Sequence, residues 1–294
     1  MASMTDDDVP AWWARLGLPG LIDIHTHFLP ERMMRRVWAH FDDAGPLIGR
    51  PWPINYRWDQ DARLAHLRKM GVRRFAALTY AHKPDMAADL TDFALDLAAE
   101  NPDCIPSATF YPEDDVLDQV RSALDRGARV FKIHAQVGGF DVREPILDKA
   151  WGLLAEAAVP VVVHIGSGPV PRGGFTGPDK LEGVLRRHPN LTAVVAHLGA
   201  PEYTEFLDLA ERYPNVHLEP PWCSRTFSRT SRPSPRSYCS FWRTCPTGSP
   251  SAATSRISPT RTPTSSKPLN ACANKNPGST TTGCVQSAGP TVSG

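Results

Sequence analysis

The chain has 294 residues, 41% of them hydrophobic and 21% charged, with a formal net charge of +1. This balance fits a folded globular protein and excludes a disordered chain, a small disulfide scaffold and a protein built from apolar membrane spans. The longest apolar stretches are interrupted by charge or proline and the first ten residues are acidic, so neither a spanning helix nor a signal peptide is expected, and the cytoplasm is the expected compartment.

The small total charge conceals a division. All 31 acidic residues lie at or before Glu219, together with 23 of the 32 lysines and arginines; the other nine basic residues lie beyond it, so the first part carries −8 and the rest +9. Cysteine divides at the same place, with Cys104 alone before it and Cys223, Cys239, Cys245, Cys272 and Cys284 after it. No CxxC pair occurs among them, which leaves a zinc ribbon or disulfide framework unsupported.

Taken in chain order up to that break, short runs of Val, Ile, Phe and Ala alternate with segments of helical period, the pattern of repeated βα units. Seven strands are predicted, at residues 21–28, 74–80, 105–111, 129–135, 160–166, 192–198 and 215–219. Between them lie amphipathic stretches at 59–70, 86–100, 116–126, 145–157, 178–187 and 202–212. Several of these stop at glycine, as at Gly71 and Gly127, or run into proline, as at Pro102, Pro160, Pro189 and Pro214. No GxGxxG or GxxxxGK[ST] loop follows the first strand, which weighs against a nucleotide-binding doubly wound sheet. The expected fold is an α/β (β/α)8 TIM barrel, in which polar residues at the C-terminal ends of strands converge on one mouth.

Such residues are plentiful. The first strand reads LIDIHTHF, and a period of two puts Asp23, His25 and His27 on one face, with the two imidazoles about 7 Å apart along the strand. The fourth strand ends VFKIHA, with Lys132 and His134 in phase; the fifth ends VVVHIG at His164 and the sixth VVAHLG at His197. One histidine after an apolar strand reads as a satisfied core residue, but four strands ending this way read as a metal site, imidazole being a common zinc ligand. His40, His66 and His188 lie in charged helical surroundings and read as surface residues; His82 and His217 are placed to line a pocket without an identified partner. Trp12, Trp13, Trp52 and Trp58 flank the first long loop and suit either a pocket cap or packing.

The HxH of the first strand, the His of HxGSGP after the fifth and AHLGAPE after the sixth together resemble the amidohydrolase superfamily, in its amidohydrolase-related, aminocarboxymuconate semialdehyde decarboxylase-like branch. The resemblance runs from residue 20 to about 219. It implies that His25, His27 and His164 bind one divalent metal, Zn²⁺ by preference, and that His197 is the acid/base acting on metal-bound water. It also places His134 and Lys132 on the substrate side, with carbamylation of Lys132 as the alternative found in two-metal relatives.

One departure matters. The family carries an Asp at the end of strand eight, commonly within a string like GSDFP, and no Asp or Glu follows Glu219 here. From Pro220 the chain is a Ser, Thr, Pro and Arg mixture without strand or helix period, so the domain reading is a barrel of seven strands over 1–219 and a disordered, out-of-frame tail over 220–294. Reading from each codon's third base, Pro250 to Pro259 can encode FGSDFPNIP and Ser279 to Val292 can encode DDDWVRAVCWANG, both family-like in the same frame. A basic tail that contacts nucleic acid is the competing account, but its arginines are scattered and no binding module accompanies them.

The expected activity is hydrolysis of a C–N or C–O bond in a small molecule through Zn-bound hydroxide. The alternatives are non-oxidative decarboxylation on the same site and a barrel left inactive by the missing Asp. Expected partners are a small-molecule substrate and, among assemblies, a homodimer; no nucleic-acid or membrane partner is expected.

Overall fold

The computed structural model describes residues 5–45, 54, 56–168 and 173–219. The region assigned above to an out-of-frame tail, 220–294, and Trp52 lie outside the described residues.

The chain winds as a parallel βα barrel. Strand β1 (Leu21–His27) pairs with β2 (Val72–Leu78), and β2 with β3 (Cys104–Ile105). A second parallel ladder runs β4 (Ser107–Thr109), β5 (Val130–His134), β6 (Val161–His164), β7 (Ala193–Val195) and β8 (Val216–Leu218) in order. β3 and β4 are one barrel strand interrupted at Pro106, whose missing N–H removes a ladder donor, so the seven predicted strands are all present. Among the described residues no ladder joins β8 to β1.

The helices are α1 (Val9–Arg15), α2 (Glu31–Asp42), α3 (Gln60–Lys69), α4 (Ala87–Glu100), α5 (Val116–Asp125), α6 (Ala135–Gly138), α7 (Asp148–Glu156), α8 (Pro178–Arg187) and α9 (Tyr203–Arg212). Six of them coincide with the predicted stretches. α1, α2 and the single turn α6 were not anticipated: α1 carries a Pro–Ala–Trp–Trp run without helical period, and α2 begins directly after Pro30. The start of α3 follows local chemistry, because Asp59 accepts a hydrogen bond from the Ala62 N–H at 2.8 Å. No helix among the described residues is long and apolar enough to cross a membrane.

Strand alternation sorts the side chains into two layers. Phe131 and Ile133 of β5 and Val161 and Val163 of β6 pack outward with Val120 of α5 and Trp151 and Leu154 of α7. The intervening Val130, Val162 and Val194 meet Ala76 and Leu78 inside the barrel. One step further along the same inward rows come Lys132 and His164, so the polar residues rest on an apolar floor.

Candidate metal centre

The strands deliver six titratable side chains to one place. His25 and His27 arrive from β1, Lys132 and His134 from β5, and His164 from β6. His197 belongs to a 3-10 turn, Ala196–Gly199, that continues β7; the residue itself sits at φ +57°, outside the strand in which it was predicted. Such a backbone is uncommon for a residue with a Cβ, and the turn is held by Leu198 N–H donating to the Glu219 carbonyl at 2.7 Å.

The HxH pair is closer than strand spacing alone suggests. The ladder of β1 shifts register between Asp23 and Thr26, and the two imidazoles approach to 4.9 Å between centroids with Nε2 facing Nε2 at 3.1 Å. Their other nitrogens are both engaged: His27 Nδ1 with the Leu78 carbonyl at 3.2 Å, and His25 Nδ1 with the Glu219 carboxylate. The Leu78 carbonyl fixes the His27 proton on Nδ1; His25 carries its proton on Nδ1 when Glu219 is ionised against the upward push of burial on its carboxyl, and both Nε2 atoms then present lone pairs to each other. Two facing lone pairs form no hydrogen bond; a cation between them is the complement. Two imidazole nitrogens on one tetrahedral zinc stand roughly 3.3–3.4 Å apart for Zn–N lengths of about 2.0–2.1 Å, close to the observed separation.

The other members surround this pair. His197 stacks on His25 at 5.1 Å and meets His164 edge-on at 5.1 Å, while His164 stacks on His134 at 3.8 Å. His134 Nδ1 accepts from Val137 N–H at 3.3 Å, which leaves the proton on its Nε2 and makes that nitrogen a donor. Tyr80 lies between His27 and His134. Lys132 Nζ is 3.4 Å from His25 Nε2 and the residue is wholly buried.

Electrostatics keep the imidazoles neutral. Burial, reinforced by the Lys132 ammonium, pushes His27 and His164 down to about 3. Burial likewise holds His25, His134 and His197 well below the usual imidazole range. Lys132 is pushed down to about 7 by burial, opposed by Glu219, and the buried Asp23 is pushed up to about 7. Asp23 Oδ1 accepts from the His25 N–H at 3.0 Å, whereas its Oδ2 has no hydrogen-bond partner. Neutral imidazoles are a donor set that suits a divalent cation.

The arrangement thus brings together His25, His27, His164, His197, His134 and Lys132. It adds Glu219, the last residue of the seventh predicted strand, which was not among the predicted site residues. Ligand atoms of Glu219, His25 and His197 all lie within 4.8 Å of one another. A signal for it was available: Val216 and Leu218 pack outward, so a period of two turns Glu219 inward at the end of its strand. The remaining histidines are elsewhere. His66 bonds Asp6, His188 bonds Asp148, and His82 is exposed. Trp58 lines a cavity beside α3 with Thr26, His27, Phe28, Tyr56 and Arg63, while Trp13 is core.

Residues 22–250 match the amidohydrolase family. Solved structures with the same fold include an uncharacterized TIM-barrel protein from Bordetella bronchiseptica, with a TM-score of 0.56 and 20% identity over 68% of this chain and 75% of that one. An amidohydrolase II structure gives a TM-score of 0.51 and 19% identity over 68% and 78% of the two chains. No curated protein matches the chain.

Proposed function

The chain belongs to the amidohydrolase family, and from that premise we propose that its barrel mouth is a metal-dependent hydrolytic site for a C–N or C–O bond of a small molecule. The observation that carries this reading is the pair of Nε2 atoms facing each other at 3.1 Å with both Nδ1 atoms engaged behind them. His25, His27 and His164 would hold one divalent ion, zinc by preference for an all-imidazole set. Bound there, the ion supplies Lewis-acid chemistry and activated water at neutral pH.

The protein's own groups do the rest. His197, stacked on His25, is the acid/base that takes up and returns a proton. His134 offers its Nε2–H, and Lys132 its ammonium, to a polar or anionic part of the substrate. Glu219 stands behind His25 and orients it, as a carboxylate behind a ligating histidine does.

We also read residues 220–294 as translated out of frame, the restored frame returning an Asp to the end of strand eight. What supports this is the loss of every acidic residue after Glu219, combined with a family-like string in one alternative frame.

The test uses a frame-restored protein with a panel of amides, lactones and aromatic carboxylic acids, followed for product acid and for carbon dioxide. Hydrolysis abolished by chelation and restored by zinc is the expected result. Carbon dioxide release without water addition would make the site a carboxy-lyase, and no turnover with metal bound would make the barrel inactive.

A further inference from the structure

We propose that Glu202 is a positioning residue of the metal centre: its carboxylate clamps Ser167, and through that loop sets the orientation of the His164 ring. The inference rests on the reading of His25, His27 and His164 as metal ligands.

His164 and His197 leave the barrel on two neighbouring loops, Ile165–Gly168 after β6 and Ala200–Glu202 before α9. Glu202 joins them. One carboxylate oxygen accepts from the Ser167 N–H at 3.0 Å and the other from the Ser167 hydroxyl. Beside this clamp the Gly168 N–H donates to the Ala200 carbonyl at 2.9 Å. The loops touch backbone to backbone at Gly166, where a Cβ would stand only 2.4 Å from the Ala200 oxygen. On the far side Gln136 Nε2 donates to the Ser167 carbonyl at 2.9 Å, tying in the turn α6 that follows His134.

The consequence falls on His164, because it ends β6 only three residues before the clamped Ser167, at the root of the same loop. Fixing that backbone fixes the direction in which His164 leaves its strand, and so where its ring nitrogens point. Glu202 is also suited electrostatically, standing immediately before the first residue of α9, where a helix favours negative charge. The packing of α9 itself rests on Phe206 and Leu209, both wholly buried, and does not depend on the clamp.

The experiment titrates cobalt into the purified, metal-free full-length chain and into Glu202→Ala, Glu202→Gln, Ser167→Ala and His27→Ala, reading affinity, the visible ligand-field spectrum and the metal-free melting temperature. We expect Glu202→Ala to bind cobalt roughly 10–100-fold more weakly, the range for losing an orienting group behind a ligand. Its spectrum should change while its metal-free melt stays with that of the unaltered chain. Glu202→Gln, whose amide oxygen still accepts from Ser167, should recover most of the affinity, and Ser167→Ala should lose part of it. Unchanged affinity and spectrum in Glu202→Ala, while His27→Ala loses cobalt, overturns the clamp alone. A metal-free melt that falls equally in Glu202→Ala and Glu202→Gln makes the residue structural and also overturns it. Unchanged cobalt binding by His27→Ala overturns the metal-centre reading and the clamp with it.

Discussion

Two histidines of the barrel mouth each have an acceptor placed behind the ring: Glu219 for His25 and the Leu78 carbonyl for His27. A buried imidazole with its rear nitrogen engaged has one nitrogen left, and in this pair the two Nε2 atoms face each other at 3.1 Å. The double substitution His25→Ala with His27→Ala should therefore abolish stoichiometric zinc, measured by elemental analysis; one equivalent retained would refute the assignment. His197 has a different expectation. In the frame-restored protein His197→Ala should keep its zinc and lose turnover by roughly two to four orders of magnitude, the usual effect of removing a positioned acid/base. Loss of zinc as well would make it a ligand. Most of this site was legible from strand-end histidines, since alternation alone puts His25 with His27 and Lys132 with His134. The contact between the two Nε2 atoms was not, because it depends on a register shift within β1 that no pattern of residue types encodes. Glu219 ended the seventh predicted strand but was not counted in the site, because a lone carboxylate there forms no motif with the strand-end histidines.

At the level of elements the histidines are only as well placed as the strands beneath them. β5, β6 and β7 are each backed by outward apolar residues, and Trp151 of α7 is wholly buried among them with its Nε1–H donating to the Val142 carbonyl at 2.9 Å. Trp151→Ala should destabilise the barrel by about 3–5 kcal/mol, the usual cost of emptying a large aromatic site, with the lost hydrogen bond leaving Val142 unsatisfied. A thermal or denaturant melt measures it. Gly199 is a second sensitive point. It adopts φ +70° at the end of the turn that carries His197, and a Cβ there would meet the Phe206 ring at 1.9 Å, so Gly199→Ala must displace either α9 or the His197 turn. Strand and helix periods made the βα alternation readable. The break of the third strand depends on Pro106 alone, and the helix α1 gains its stability from Trp13 packing with Leu21, Leu64 and Met70, a tertiary contact that local sequence does not announce.

At the scale of the whole molecule the described strands form an arc from β1 to β8 whose two outer members are not paired with each other. A closed barrel leaves no strand edge, whereas an open arc keeps two rows of unpaired backbone groups and any apolar side chains the missing unit would have covered. Ile22, 43% exposed near the start of β1, is an apolar side chain that such a unit would cover. The charge division gives the cause proposed here, an out-of-frame tail with no alternating apolar pattern from which to build an eighth strand. Two proteins should then behave differently. The 294-residue chain should be cut by protease soon after Glu219 and melt at a lower temperature with weak activity or none. The frame-restored chain should resist cleavage there and melt higher, because pairing at β1 and β8 and cover over Ile22 are both regained. Limited proteolysis with mass mapping, a thermal melt of each protein and resequencing of the coding DNA around codon 219 decide the matter. A cooperative melt in the 294-residue chain, with the segment after Glu219 protected, would establish that segment as genuine structure and end the out-of-frame reading.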